Sequence, residues 1–97
     1  MGADLILREK RVIEDTITEI VVWRLSSPVP GSGHPFKYRF YFGLVDGTCI
    51  VRYDNERGKG DHRHIGGREE PYQFFGLPQL FRDFNADKAA WSSRGKR

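Results

Sequence analysis

The sequence predicts an α+β domain: an antiparallel meander of four or five strands with a C-terminal helix packed on one face. Three observations carry that prediction. Phe36 to Val45 alternates, with Phe36, Tyr38, Phe40, Phe42 and Leu44 on one side and Lys37, Arg39 and Tyr41 on the other. Asp46-Gly47 follows, a dipeptide expected to form a two-residue type I′ hairpin turn. Leu77, Leu80, Phe81, Phe84 and Trp91 then recur at helical spacing, around a proline, Pro78, suited to a first helical turn.

The elements follow in order. Asp4 to Val12 reads as a first strand, with Leu5 and Leu7 on one face and Asp4, Ile6 and Arg8 on the other. Glu14 and Asp15 supply a turn. Thr16 to Leu25 is rich in β-branched residues; Ile17, Val21, Trp23 and Leu25 share one face and Thr16, Thr18, Ile20, Val22 and Arg24 the other. Both faces carry apolar residues, so this strand belongs inside the sheet. Ser26 to Pro35 is a proline- and glycine-rich connection, and its His34 is given no role. The aromatic stripe of the third strand is read as the core, because this small domain offers no better candidate.

Thr48 to Tyr53 is the fourth strand, with Cys49, Val51 and Tyr53 opposite Ile50, Arg52 and Asp54. Pro71 to Phe75 suggests a short fifth. Pro78 to about Trp91 is the amphipathic helix, whose apolar face should lie on the aromatic side of the sheet. Ser92 to Arg97 reads as a frayed basic tail. The other face of the sheet is then left with Lys37, Arg39, Tyr41, Arg52 and Arg24, a basic and aromatic surface.

Composition narrows the class. Ninety-seven residues make one domain, 1–97. A net charge of +3 and a pI near 9.2 permit contact with nucleic acid without demanding it. No apolar run approaches the length of about 18 residues that a membrane helix needs, and the N-terminus lacks a secretory pattern. The single Cys49 cannot form an internal disulfide, which fits the cytoplasm.

The stretch Asp54 to Glu70 carries the chemistry. Ile65 is its only aliphatic residue, and it reads as a long polar loop. His62 and His64 lie two apart, so in an extended segment both rings point the same way. Imidazoles titrate near neutrality, so one can accept a proton while the other donates one. Metal-free RNA cleavage needs a base for the 2′-hydroxyl, an acid for the leaving 5′-oxygen and cations for the charge on phosphorus. His62 and His64 are the expected acid and base. Lys59 and Arg63 stabilise the phosphate, and Asp61, or Asp54, orients a ring. Gly58 and Gly60 let the backbone approach a phosphate. Arg57, Lys37, Arg39 and Arg52 are the expected substrate contacts. Neither a cofactor nor a metal is expected. Metal binding by His62 and His64 with Asp61 or Asp54 is the weaker use of the pair, because no cysteine cluster supports it. The plain alternative is that these charges only tie the segment together.

The block YDNERGKGDHRHIGGREEPYQF, preceded by EIVVWRL and PVP and followed by LPQLFRDF, resembles the TumE family of small prokaryotic toxins over about Leu5 to Phe84. The family pattern falls on Tyr53, Asp54, Asn55, Gly58, Lys59, Gly60, Asp61, His62, Arg63, His64 and Tyr72. The resemblance implies the toxin half of a toxin–antitoxin pair, whose antitoxin is often a helix-turn-helix DNA-binding protein. RNA as target follows from the chemistry of the polar segment and from the habit of small toxins of attacking translation, not from the resemblance. Two rivals stand beside ribonuclease activity. One is a non-catalytic toxin that binds nucleic acid or protein through the basic sheet face. The other is a metal-dependent nuclease or nucleotidyl-transfer enzyme. Self-association is left open.

Overall fold

The computed structural model describes residues 2–93. One antiparallel sheet runs in chain order through β1 (Ala3–Ile13), β2 (Thr16–Leu25), β3 (Phe36–Leu44), β4 (Cys49–Glu56), β5 (Gly60–Ile65) and β6 (Arg68–Pro71), and helix α1 (Leu77–Ser93) follows. The α+β meander with a C-terminal helix is as expected, but it has six strands, not four or five. The difference lies in Asp54 to Glu70, which is two hairpins rather than a loop. The chain turns at Arg57 to Lys59, where the Lys59 N–H donates to the Glu56 carbonyl (2.9 Å), and again at Gly66-Gly67. Backbone hydrogen bonds sustain these strands although their side chains are polar. The last pair is His62–Pro71, followed only by the Tyr72 N–H donating to the Asp61 carbonyl (3.1 Å), so residues 72–76 are not the predicted fifth strand.

The register sets the two faces. Ile20, Val22, Tyr38, Phe40, Phe42, Val51 and Tyr53 lie on the helix side and are buried with Leu80 and Phe84. Phe40 meets the edges of Phe81 and Phe84, at ring-centroid distances of 4.8 and 5.3 Å, and Phe42 meets Trp91 at 5.5 Å. Full burial of Leu80 and Phe84 contributes about 1.5–3 kcal/mol each, which is what holds α1 to the sheet. The helix runs on through Ser92 and Ser93, which the sequence had suggested as tail; the remaining tail residues, 94–97, lie outside the described residues.

Three local expectations are corrected. A bulge at Ile6 separates the pairs Leu5–Trp23 and Leu7–Val22, so Leu5 and Leu7 fall on opposite faces. Arg24 pairs with Phe36 and reaches over its ring on the helix side, not the open side. The β3–β4 connection is not a two-residue type I′ turn. Gly47 alone has positive φ (100°), and its N–H donates to the Leu44 carbonyl (3.0 Å), while the Leu44 N–H donates to Thr48 (2.8 Å). That pattern is a three-residue turn ending in a left-handed glycine. Among the described residues no helix is long and apolar enough to cross a membrane.

Candidate functional site

Alternation along β5 puts His62 and His64 on the open face, as the sequence predicts for an extended segment, with ring centroids 5.9 Å apart. The ladder supplies their neighbours: Asp54 stands opposite His62, and Arg52 and Glu69 flank His64. His62 is only 5% exposed. Its Nδ1 lies 3.1 Å from the Gly60 carbonyl, which can only accept, so Nδ1 carries a proton. Its Nε2 faces two carboxylates, Asp54 Oδ1 at 2.6 Å and Glu69 Oε2 at 3.3 Å. His64 is more open, with Nε2 3.5 Å from Glu69 Oε1.

Two cations complete the cluster. Lys59 Nζ lies 3.3 Å from Glu69 Oε2 and 3.7 Å from Glu56 Oε1, and its pKa is raised by the hydrogen bond to Glu69 and then by the charges of both carboxylates. Burial pushes the Glu69 carboxyl up, but Lys59, His62 and His64 together hold it below the usual range. Arg52 Nε lies 3.4 Å from Asp54 Oδ2. A shallow pocket lined by Lys59, Asp61, His62, Glu69, Glu70 and Pro71 opens beside His62.

The same alternation sends Asp61 and Arg63 to the helix side, so the structure does not bring them to the histidine pair. Asp61 accepts from Ser32 Oγ (2.9 Å), Tyr38 Oη (2.7 Å) and His34 Nε2 (2.7 Å). His34 Nδ1 accepts the Phe36 N–H (3.2 Å), which leaves the ring proton on Nε2 for Asp61. The ring stacks on Phe74 at 3.7 Å. Burial and then the Asp61 hydrogen bond push the Tyr38 phenol well above its ordinary value. Arg63 donates to Glu70 and to Tyr53 Oη (3.2 Å), and it lies 3.5 Å from Asp87 of α1. Arg63 holds the Glu70 carboxyl below its usual range.

The expected substrate contacts divide. Lys37, Arg39 and Arg52 are on the open face. Lys37 and Arg39 line a groove with Val21, Trp23 and Asp54. Lys37 Nζ donates to the Asn55 carbonyl (2.7 Å), and Arg39 lies 3.5 Å from Glu19 and over the Tyr41 ring. Arg57 lines a separate cavity with Gly2 and residues 25–30. Gly60 meets backbone: a Cβ there would stand 2.8 Å from the Gly31 carbonyl, and one on Gly31 would stand 2.9 Å from the Gly60 nitrogen. Its need for glycine therefore comes from chain packing and from its positive φ of 77°.

Sequence reasoning missed Glu69 and gave His34 no part. Reading residues 60–65 as a strand, from the glycines on both sides, would have separated His62 and His64 from Asp61 and Arg63. Chemically, the cluster can move protons through two imidazoles, and it can hold a cation. Among the described residues, His62, His64 and Glu69 each offer a ligand atom, all within 4.8 Å of one another.

Comparison with protein families matches residues 3–92 to the family described as Toxin TumE. Neither the curated proteins nor the solved structures contain a match.

Proposed function

We propose, from the premise that this chain belongs to the TumE family of toxins, that it is a ribonuclease acting at the His62–His64 cluster. Membership makes the chain the toxin of a toxin–antitoxin pair, with a cognate antitoxin as its partner. The observation that supports the ribonuclease reading is the sharing of one sheet face by two imidazoles, Lys59, and the cations Arg52, Lys37 and Arg39. His64, the more open ring, exchanges protons with the substrate oxygens, and His62 exchanges its Nε2 proton with it through Glu69, which lies 3.3 Å from one ring and 3.5 Å from the other. Asp54 stands beside His62 Nε2, in the place the sequence also offered to Asp61. Lys59 and Arg52 meet the developing phosphate charge. Arg63 and Asp61 serve the scaffold that carries the pair.

Purified protein incubated with RNA in EDTA tests this reading. Wild type should cleave, and His64→Ala should cleave about 10²–10⁴-fold more slowly. No cleavage by wild type, or an unchanged rate in the variant, overturns it. The second reading, a toxin that binds without cutting, is favoured by the Trp23, Tyr41, Lys37 and Arg39 surface. It gives salt-dependent RNA binding that is sensitive to Lys37 and Arg39 rather than to the histidines.

The antitoxin covers this open face, where charge and the half-buried aromatics Trp23 and Tyr41 coincide. Hydrogen exchange in the toxin–antitoxin complex should show protection along β3 to β5. Protection confined to the C-terminal half of α1 would contradict this placement.

A further inference from the structure

We propose that the cluster is also a site for a divalent transition-metal ion, held by His62 Nε2, His64 Nε2 and the Glu69 carboxylate, with Asp54 beside them as a neighbouring charge. The argument begins at His62. Its Nδ1–H is committed to the Gly60 carbonyl at 3.1 Å, which aims Nε2 at the cluster. That outer hydrogen bond is the one a metal-binding imidazole characteristically makes. Nε2 then lies 2.6 Å from Asp54 Oδ1 and 3.3 Å from Glu69 Oε2. Asp54 Oδ1 is buried, yet it has no aligned hydrogen-bond donor at all. A buried carboxylate oxygen without one is costly. A cation beside His62 Nε2 offsets the Asp54 charge, and bound to Glu69 it takes in both rings, since His64 Nε2 lies 3.5 Å from Glu69 Oε1.

The spacing and the donor types agree. Zinc bonds of about 2.0–2.1 Å in a tetrahedron place ligand atoms about 3.3 Å apart. The gaps of 3.3 Å from His62 to Glu69 and 3.5 Å from His64 to Glu69 lie near that value. Two imidazoles with a carboxylate select zinc-like ions over magnesium, which keeps its waters and prefers oxygen. The ligands sit on the adjacent strands β5 and β6, so the sheet preorganises them. Lys59 competes for Glu69; its side chain is 55% exposed and has Glu56 as another partner, so it yields readily.

An ion here occupies the lone pairs that proton transfer needs and therefore holds RNA cleavage off. That consequence rests on the ribonuclease reading of the same rings, whereas the binding does not. The test titrates the EDTA-stripped chain with Zn²⁺ by calorimetry, with Mg²⁺ in parallel. One Zn²⁺ per chain should bind, Mg²⁺ should not, and His64→Gln and Glu69→Gln should each weaken binding at least 10-fold. Both residues lie outside the core, Glu69 exposed and His64 half-buried, so these variants keep the fold. Absence of stoichiometric Zn²⁺ binding, or unchanged affinity in both variants, overturns the site. One equivalent of Zn²⁺ should also stop the cleavage seen in EDTA, and undiminished cleavage by zinc-loaded protein overturns the off-state. If the stripped chain cuts no RNA, the ribonuclease reading fails and the calorimetry alone decides the site.

Discussion

At the residue scale, Asn55 shows how far side chains of one motif can differ in role. It is fully buried; its Oδ1 accepts the Tyr38 N–H (3.0 Å), and its Nδ2 donates to the Phe36 carbonyl (2.6 Å) and to Ser32 Oγ (3.2 Å). Asn55→Ala orphans those groups and should cost about 1–3 kcal/mol for each that water cannot reach. Urea unfolding at constant m-value measures it, and a loss under about 0.5 kcal/mol would contradict the role. Nothing in the sequence marks Asn55 as buried, since asparagine is mostly a surface residue. The histidine pair was legible because its side-by-side placement needs only an extended backbone. The same period of two places Asp61 and Arg63 on the far side, a consequence that the sequence reading of the segment as one loop does not carry through to its other residues.

At the element scale, the 26–35 connection crosses the β4–β5 hairpin so closely that the backbones touch. The Gly58 N–H donates to the Pro30 carbonyl (2.7 Å), and Gly60 packs on Gly31. Gly58 and Gly60 both have positive φ, 83° and 77°, but a Cβ on Gly58 meets open space. Gly58→Ala should therefore cost only the left-handed conformation, about 1–2 kcal/mol, while Gly60→Ala adds the clash and costs more. Equal thermal shifts in the two variants would contradict this account of the crossing. The hydrophobic elements β2, β3 and α1 were plain in the sequence because burial dictates their periodicity. The strands β5 and β6 were not, because polar side chains line both their faces and leave only glycine turns as a signal. Pro71 placed the last strand too late for the same reason.

At the scale of the whole molecule, aspartates of α1 tie the helix to the sheet through tyrosines. Tyr72 Oη donates to Asp83 (2.5 Å) and Tyr53 Oη to Asp87. Burial first, and then these carboxylates, raise both phenols, as burial and Asp61 raise Tyr38. A phenol raised in the fold stabilises it fully below its ordinary value of 10.0, and that stability is lost as pH climbs above it. Urea midpoints should hold up to about pH 10 and then fall steeply, and Tyr72→Phe should flatten that limb. The Glu70 carboxyl, lowered by Arg63, works in the opposite direction: its contribution is present above the ordinary 4.5 and lost as pH drops below it. A sheet braced in this way by one helix leaves its other face open, and the RNA cleavage proposed there can be tested at the bond it would break. In EDTA, wild-type protein should cut an RNA strand to a 2′,3′-cyclic phosphate end and leave a 2′-deoxy version of the same strand whole. Equal cutting of both strands would contradict proton transfer from the 2′-hydroxyl to the His62–His64 pair.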